Sequence, residues 1–239
     1  MQSKTLTFLG DIHGGLDRIY FWQNLNEGSN LIQVGDFGIG FGDMVTRCQR
    51  LNEVLAAKNN HVYVVRGNHD MPIWFSGADV YNRFSHIHFV KDNTILELND
   101  KKILCIGGGV SIDRVDRVEG KGWWKDEILK FDESLPGILA SNDVDVVVTH
   151  VFDTGRISPL KEELVAYYAG KDPYLRHDLT KERGVFQQID IEVKAAAKDT
   201  KVRNWFFGHF HQVFRLSDVE DGTGFNYVGL AIGELYELR

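Results

Sequence analysis

Five short runs rich in β-branched and aromatic residues, at 6–9, 31–34, 61–65, 144–149 and 204–207, each stop within three residues of a side chain able to hold a metal ion. Apolar stretches of this length, bounded by turn residues, read as strands buried on both faces. Between the early runs lie segments with helical spacing: Leu16, Ile19, Tyr20 and Leu25 within 16–25, and Val45, Cys48, Leu51, Val54 and Leu55 within 44–58. Strand and helix therefore alternate, which predicts βαβ units and a sheet that is at least partly parallel. A second set of runs, 87–90, 94–98, 102–106, 213–216 and 225–230, is joined by turn-like pairs such as Asn99-Asp100 and Asp221-Gly222 and predicts antiparallel hairpins. Two β-rich sets with helices outside imply a layered α/β sandwich rather than a barrel.

Residues 151–200 carry few strand signals and two helical stretches, 159–168 and 181–197, so they are expected as a helical insertion within a single domain spanning 1–239. Only four prolines occur, and no repeat or Pro-rich linker marks a boundary. The formal net charge of −7 gives no broad basic field, which argues against extended nucleic-acid binding. Cys48 and Cys105 are too few for a disulfide framework or a structural zinc cluster and read as buried thiols in a reducing compartment. The apolar stretch from Leu6 is too short for a signal sequence, and no run of about 18 apolar residues occurs. The expectation is a cytoplasmic protein with no membrane partner, and nothing in the chain specifies an oligomer.

The clusters at the strand ends are Gly10-Asp11-Ile12-His13, Gly35-Asp36, Gly67-Asn68-His69-Asp70, Thr149-His150 and Gly208-His209-Phe210-His211. Taken singly each has a bland explanation: a solvated turn for Asp-x-His, an ordinary strand-to-loop turn for Gly-Asp, a core histidine for His150. Gly-His-Phe-His says more, because alternate residues of an extended segment point the same way. Jointly, if the strands are mainly parallel, their carboxyl ends share one sheet edge, where α/β proteins place their ligands. The side chains of Asp11, His13, Asp36, Asn68, His150, His209 and His211 then converge, enough for two metal ions sharing one carboxylate. The set mixes imidazole nitrogen with carboxylate and amide oxygen, which suits Mn²⁺ first, then Fe, Zn²⁺ or Ni²⁺, better than Mg²⁺.

In order and spacing these blocks resemble those of the calcineurin-like metallophosphoesterases, usually written D-x-H, G-D, G-N-H-[DE], a later H, and G-H-x-H, and the resemblance runs over 9–211. It implies a four-layer αββα sandwich with a binuclear centre. One metal would be held by Asp11, His13, Asp36 and His211, the other by Asp36, Asn68, His150 and His209, with Asp36 as the bridge. Two cations about 3.5–4 Å apart bind phosphoryl oxygens, activate a bridging water and stabilise an in-line displacement. His69 looks like the family's general acid. Asp70 either orients that imidazole or caps the short segment opening at Pro72.

In one respect the chain departs from the protein Ser/Thr phosphatase branch. Where that branch continues the second block with an Asp-Arg pair, Gly38-Ile39-Gly40 stands here, which counts against a typical protein phosphatase. The glycines of 35–42 do not match G-x-G-x-x-G, so a dinucleotide loop is set aside. Phosphate then needs another cation, and the stretch 107–124 offers Arg114 as first choice and Arg117 as second, the alternative being a solvated loop with Trp123 and Trp124 packed beneath. Arg66 is expected to support the loop by hydrogen bonds, and Met71, Trp74 and Phe75 to pack as core. In the insertion, Lys161, Arg176, His177, Lys181 and Arg183 are diluted by Glu162, Glu163 and Glu182, which reads as a solvated cap first and a substrate gate second. The expected function is a phosphodiesterase acting on a small or nucleotide-type phosphoester. The alternatives are a protein or nucleotide phosphomonoesterase and, behind it, a non-catalytic scaffold.

Overall fold

The computed structural model describes residues 6–78, 81, 83–157, 162–197, 203–217 and 224–238. In the first sheet, β1 (Leu6–Leu9), β2 (Asn30–Gln33), β3 (His61–Val64) and β4 (Ile87–Phe89) run parallel in that order. A C-terminal strand, β11 (Leu235–Leu238), pairs antiparallel outside β1. In the second sheet, β6 (Lys101–Ile106), β7 (Val146–Thr149), β8 (Arg203–Phe207) and β10 (Phe225–Gly229) are parallel neighbours. The flanking strands β5 (Thr94–Leu98) and β9 (Phe214–Leu216) are antiparallel.

The alternation of side chains along these strands builds the layers. Leu6 and Phe8 of β1 face Ile103 and Cys105 of β6, Val146 and Val148 of β7, and Phe206 of β8 in a core between the sheets. The rings of Phe8 and Phe206 stack there, 3.7 Å apart and 5° from parallel. On the outer face of the first sheet, Leu9, Leu31, Val62 and Val64 meet Ile19 and Trp22 of α1 (Asp17–Leu25) and Cys48, Leu51 and Leu55 of α2 (Met44–Ala56). On the outer face of the second, Val147, Trp205 and Phe207 meet Leu135 and Leu139 of α3 (Leu135–Ser141) and Phe186, Ile189 and Val193 of α5 (Leu175–Ala196). The result is an α/β sandwich of four layers, and burial on both faces explains why the central strands read as unbroken apolar runs. Cys48 and Cys105 are free and buried in it.

Several expectations change here. The run at 87–90 belongs to no hairpin: a long connection through a 3-10 turn, Pro72–Phe75, returns the chain so that β4 lies parallel to β3. The Asn99-Asp100 turn does join an antiparallel pair, β5 and β6, with both residues in the left-handed region. Asp221-Gly222 lies outside the described residues, as do Pro159 and Lys161. In the 151–200 segment, α4 (Glu162–Ala169) and α5 form the crossover between the parallel strands β7 and β8, and α5 begins at Leu175 rather than at residue 181. Trp74 and Phe75 are buried, with Met71 packed against them. No helix among the described residues is long and apolar enough to cross a membrane.

Candidate metal centre

The loops after β1, β2, β3, β7 and β8 open on one edge shared by the two sheets, because both sheets send the carboxyl ends of their parallel strands there. All seven residues named from the sequence meet at this edge. Donor atoms of Asp11, His13, Asp36 and His211 form one group within 4.8 Å of one another, and those of Asp36, His150 and His209 form a second. Asp36 belongs to both. In the first group, Nε2 of His211 lies 3.2 Å from Asp11 Oδ2, and Nε2 of His13 lies 3.8 Å from Asp36 Oδ2. In the second, His150 Nε2 is 3.2 Å from Asp36 Oδ1. Asn68 Oδ1 completes it, 3.0 Å from His150 Nε2 and 2.9 Å from His209 Nδ1.

This convergence is held by backbone that ordinary residues avoid. His13, Asp36, His209 and His211 all have positive φ, at 43°, 59°, 63° and 57°. Each such residue costs about 1–3 kcal/mol and persists only where its surroundings determine it. The determinants are visible. Asp11 accepts the backbone N–H of His209 at 3.0 Å, Asp36 Oδ1 accepts that of His69 at 2.7 Å, and the Asp36 carbonyl accepts that of His13 at 2.8 Å. Two glycines are required by close approach: a Cβ at Gly67 would overlap Asp36, and one at Gly208 would overlap the Asp11 carboxylate.

Orientation of the ligands extends outward. His150 Nδ1 donates to the Val34 carbonyl at 2.9 Å, which leaves Nε2 to face the centre. The Asn68 amide donates to Ser111 Oγ at 3.0 Å, and Glu127 accepts both the hydroxyl and the N–H of Ser111, the latter at 2.8 Å. Ser111 and Glu127 were not picked out from the sequence. Their signal was the same punctuation seen elsewhere, since β6 runs straight into Gly107-Gly108-Gly109 and Ser111 follows.

Electrostatically, burial works against ionisation of Asp36, but the charge and hydrogen bond of His150 outweigh it and hold the carboxyl well below the usual range. His150 is likewise disfavoured as a cation by burial, yet Asp36 pushes it up to about 9. Burial lowers His13. His13 and His211 face each other through Nε2 atoms 2.9 Å apart, beside the carboxylates of Asp11 and Asp36. At most one proton fits between two such nitrogens, so electron-rich donors crowd around one point. The residues therefore fit a divalent cation accepting nitrogen and oxygen ligands.

The remaining sequence-derived residues divide. His69 lines the same cavity, and its ring nitrogens lie 2.8 and 3.3 Å from the Arg117 guanidinium; burial lowers its pKa to about 4. Asp70 neither touches that ring nor caps Pro72. It is fully buried and accepts the backbone N–H groups of Phe37, Gly38, Ile39 and Gly67 at 2.7–3.2 Å, tying the second block to the third. Arg66 is buried, pairs with Asp92 at 2.7 Å and donates to the carbonyls of Gly107 and Glu127, so it supports the loops. Arg114 is clamped at 2.6 Å by both Asp172 and Asp178 and lines a neighbouring cavity, whereas Arg117 lines the cavity that holds the donor residues.

A search of curated proteins found no match. Among solved structures, a phosphopantetheinyl hydrolase from Mycobacterium tuberculosis is similar over 96% of this chain and 90% of its own, at 16% identity and a TM-score of 0.48. The sequence profile of the calcineurin-like phosphoesterases matches residues 4–213, a span that contains all seven of these residues. The chain therefore belongs to the calcineurin-like phosphoesterase family and is a metal-dependent phosphoester hydrolase.

Proposed function

We propose that the chain is a phosphodiesterase acting on small esters, nucleotide-type esters among them, with two divalent ions of which Mn²⁺ is the first choice. The observation that carries this reading is the sharing of Asp36 between two donor groups that open on one cavity. Asp11, His13, Asp36 and His211 would hold one ion; Asp36, Asn68, His150 and His209 would hold the other. Bound there, such ions neutralise phosphoryl oxygens and lower the pKa of water.

The chain's own residues do the rest. Arg117 is the cation that orients the phosphoryl group, since it lines the cavity of the donor residues although paired with Asp113, whereas Arg114 lines a neighbouring cavity, and Gly38-Ile39-Gly40 replaces the Asp-Arg pair. Burial and the Arg117 charge keep the His69 ring neutral in the free protein; once Arg117 has turned from it to the substrate, His69 would take a proton from solvent beside the phosphoryl charge and pass it to the leaving oxygen. Asp70 keeps 37–39 and Gly67 together, so that Asp36 and Asn68 hold their separation.

The test is turnover of bis-p-nitrophenyl phosphate beside p-nitrophenyl phosphate with added Mn²⁺, together with metal analysis. Preference for the diester is expected; a strong preference for the monoester would replace this reading with a phosphomonoesterase. Fewer than two bound metal equivalents under replete conditions would remove the shared-carboxylate scheme, which has two donor groups.

A further inference from the structure

Helix α4 departs from the pattern of the others. Six of its eight residues are Leu164, Val165, Ala166, Tyr167, Tyr168 and Ala169, yet none of its residues is buried. Leu164 is 42% exposed and Tyr167 57%. A helix this apolar normally lies against a core. Here part of the apolar face turns instead onto the cavity of about 850 Å³ that holds the metal ligands: Leu164, Val165 and Tyr168 line it, with Leu179 of α5, Ile112 of the loop after β6, and Phe210 between the two histidines of the last block.

Away from the metal ligands the cavity thus presents these apolar side chains, interleaved with Glu162, Arg176, Glu182 and Arg183. A phosphoryl group placed at the ligands leaves the apolar wall to whatever the phosphorus carries. Among the described residues the cations on this wall are paired, Arg176 with Glu162 at 2.8 Å and Arg183 with Asp153 at 3.1 Å. A second phosphate or a nucleic-acid strand would need cations free to meet it, and an uncharged chain needs none.

Resting on the phosphoester-hydrolase reading of this site, we propose that the preferred substrates are phosphoesters bearing an extended apolar arm, seated along α4, Leu179 and Phe210, and that Leu164 and Leu179 determine this specificity. The arm is recognised by area removed from water, so affinity grows with chain length until the wall ends.

The test uses Mn²⁺-loaded protein with ethyl, hexyl and decyl members of two series, the n-alkyl phosphates and the n-alkyl p-nitrophenyl phosphates. Each added methylene that is buried is expected to raise kcat/KM about threefold to fourfold. In L164D and L179D the decyl-to-ethyl ratio should collapse toward one. Turnover independent of chain length overturns the apolar arm while leaving phosphoester hydrolysis standing. Calorimetry with decylphosphonate and ethylphosphonate decides the matter without turnover. Tighter binding of decylphosphonate, lost in L164D, supports the arm site even if no ester is hydrolysed, an outcome that would instead remove the catalytic reading. Equal binding overturns the arm site. Sedimentation supplies a further check: a dimer that L164D dissociates would mean that a second copy covers α4, and the proposal would fall.

Discussion

The Asn68 side chain donates through Nδ2 to Ser111 Oγ at 3.0 Å, and this bond decides which end of the amide faces the metal centre. With the nitrogen engaged, Oδ1 lies toward His150 and His209. Without it the amide is free to present an N–H, which no cation accepts. Ser111→Ala is therefore expected to weaken metal binding at the His150–His209 group by about 10–100-fold. Titration calorimetry with Mn²⁺ should show one of the binding events weakened and the other retained. Unchanged affinity at both would mean that Asn68 is oriented by other means.

Asp36 stands in both donor groups, so its replacement should act on both. In wild-type protein, adding Mn²⁺ to a chelator-treated sample should raise the thermal midpoint, by about 2.7 kcal/mol of linkage at a hundredfold excess over Kd. Asp36→Asn should show little of this rise and lose more than about a thousandfold in kcat. A full rise in the variant would contradict the shared-carboxylate assignment.

Loss of His69 should depend on what leaves. His69→Asn is expected to cost about 10²–10⁴ in kcat on alkyl esters, whose leaving oxygen needs a proton. The cost should be far smaller on p-nitrophenyl esters. Equal losses on both would assign the His69 ring to positioning, through its contacts with Arg117 at 2.8 and 3.3 Å, rather than to proton transfer.

The two arginines should separate cleanly. Arg117→Ala is expected to lower kcat/KM on all esters, on the order of a hundredfold, as for removal of one donor to a developing oxyanion. Arg114→Ala breaks the paired contacts to Asp172 and Asp178 at 2.6 Å and should lower the thermal midpoint with little effect on chemistry. The reverse result would restore Arg114 as the phosphate ligand.

Glu182 is nearly buried and its Oε2 has no hydrogen-bond partner among the described residues. Burial pushes its carboxyl up from 4.5 to about 7. The folded state thus keeps a proton that the unfolded chain releases, and the stability this group contributes is present below about pH 4.5 and lost as pH rises through about 7. The size is on the order of 3–4 kcal/mol at about 1.4 kcal/mol per pKa unit. Glu182→Gln should flatten the dependence of the thermal midpoint on pH between 4.5 and about 7, the window the two pKa values define, and raise the midpoint at the alkaline end. Parallel profiles for variant and wild type would show that Glu182 does not titrate there.

Much of the fold is legible in the chain because its strands are short, apolar and stopped by glycine. Residues 144–149 and 204–207 announce central strands, and the ligand clusters after them follow the general placement of sites at strand carboxyl ends. The direction of β4 was not legible. A short strand carries the same local pattern whether its neighbour runs with it or against it, and only the path of the long connection after β3 settles which. β11 escaped notice for a related reason: with half-exposed residues at an edge, it lacks the unbroken apolar run of a central strand.

Within the site the division is sharper. The seven candidate ligand positions follow from residue type and place after a strand, both local properties of the sequence. What each neighbour does is set by partners far along the chain. Arg114 and Arg117 are one helical turn apart and chemically identical, yet Asp172 and Asp178 capture one while His69 and Asp113 hold the other. Asp70 binds backbone donors more than thirty residues away rather than the histidine beside it. The sequence by itself determined the fold class and the candidate donors, because strand burial and ligand chemistry are written in residue types. Only the tertiary structure decided which arginine lines the cavity of the candidate donors and which side chains hold those donors in place, because those depend on hydrogen bonds between segments that the chain keeps far apart.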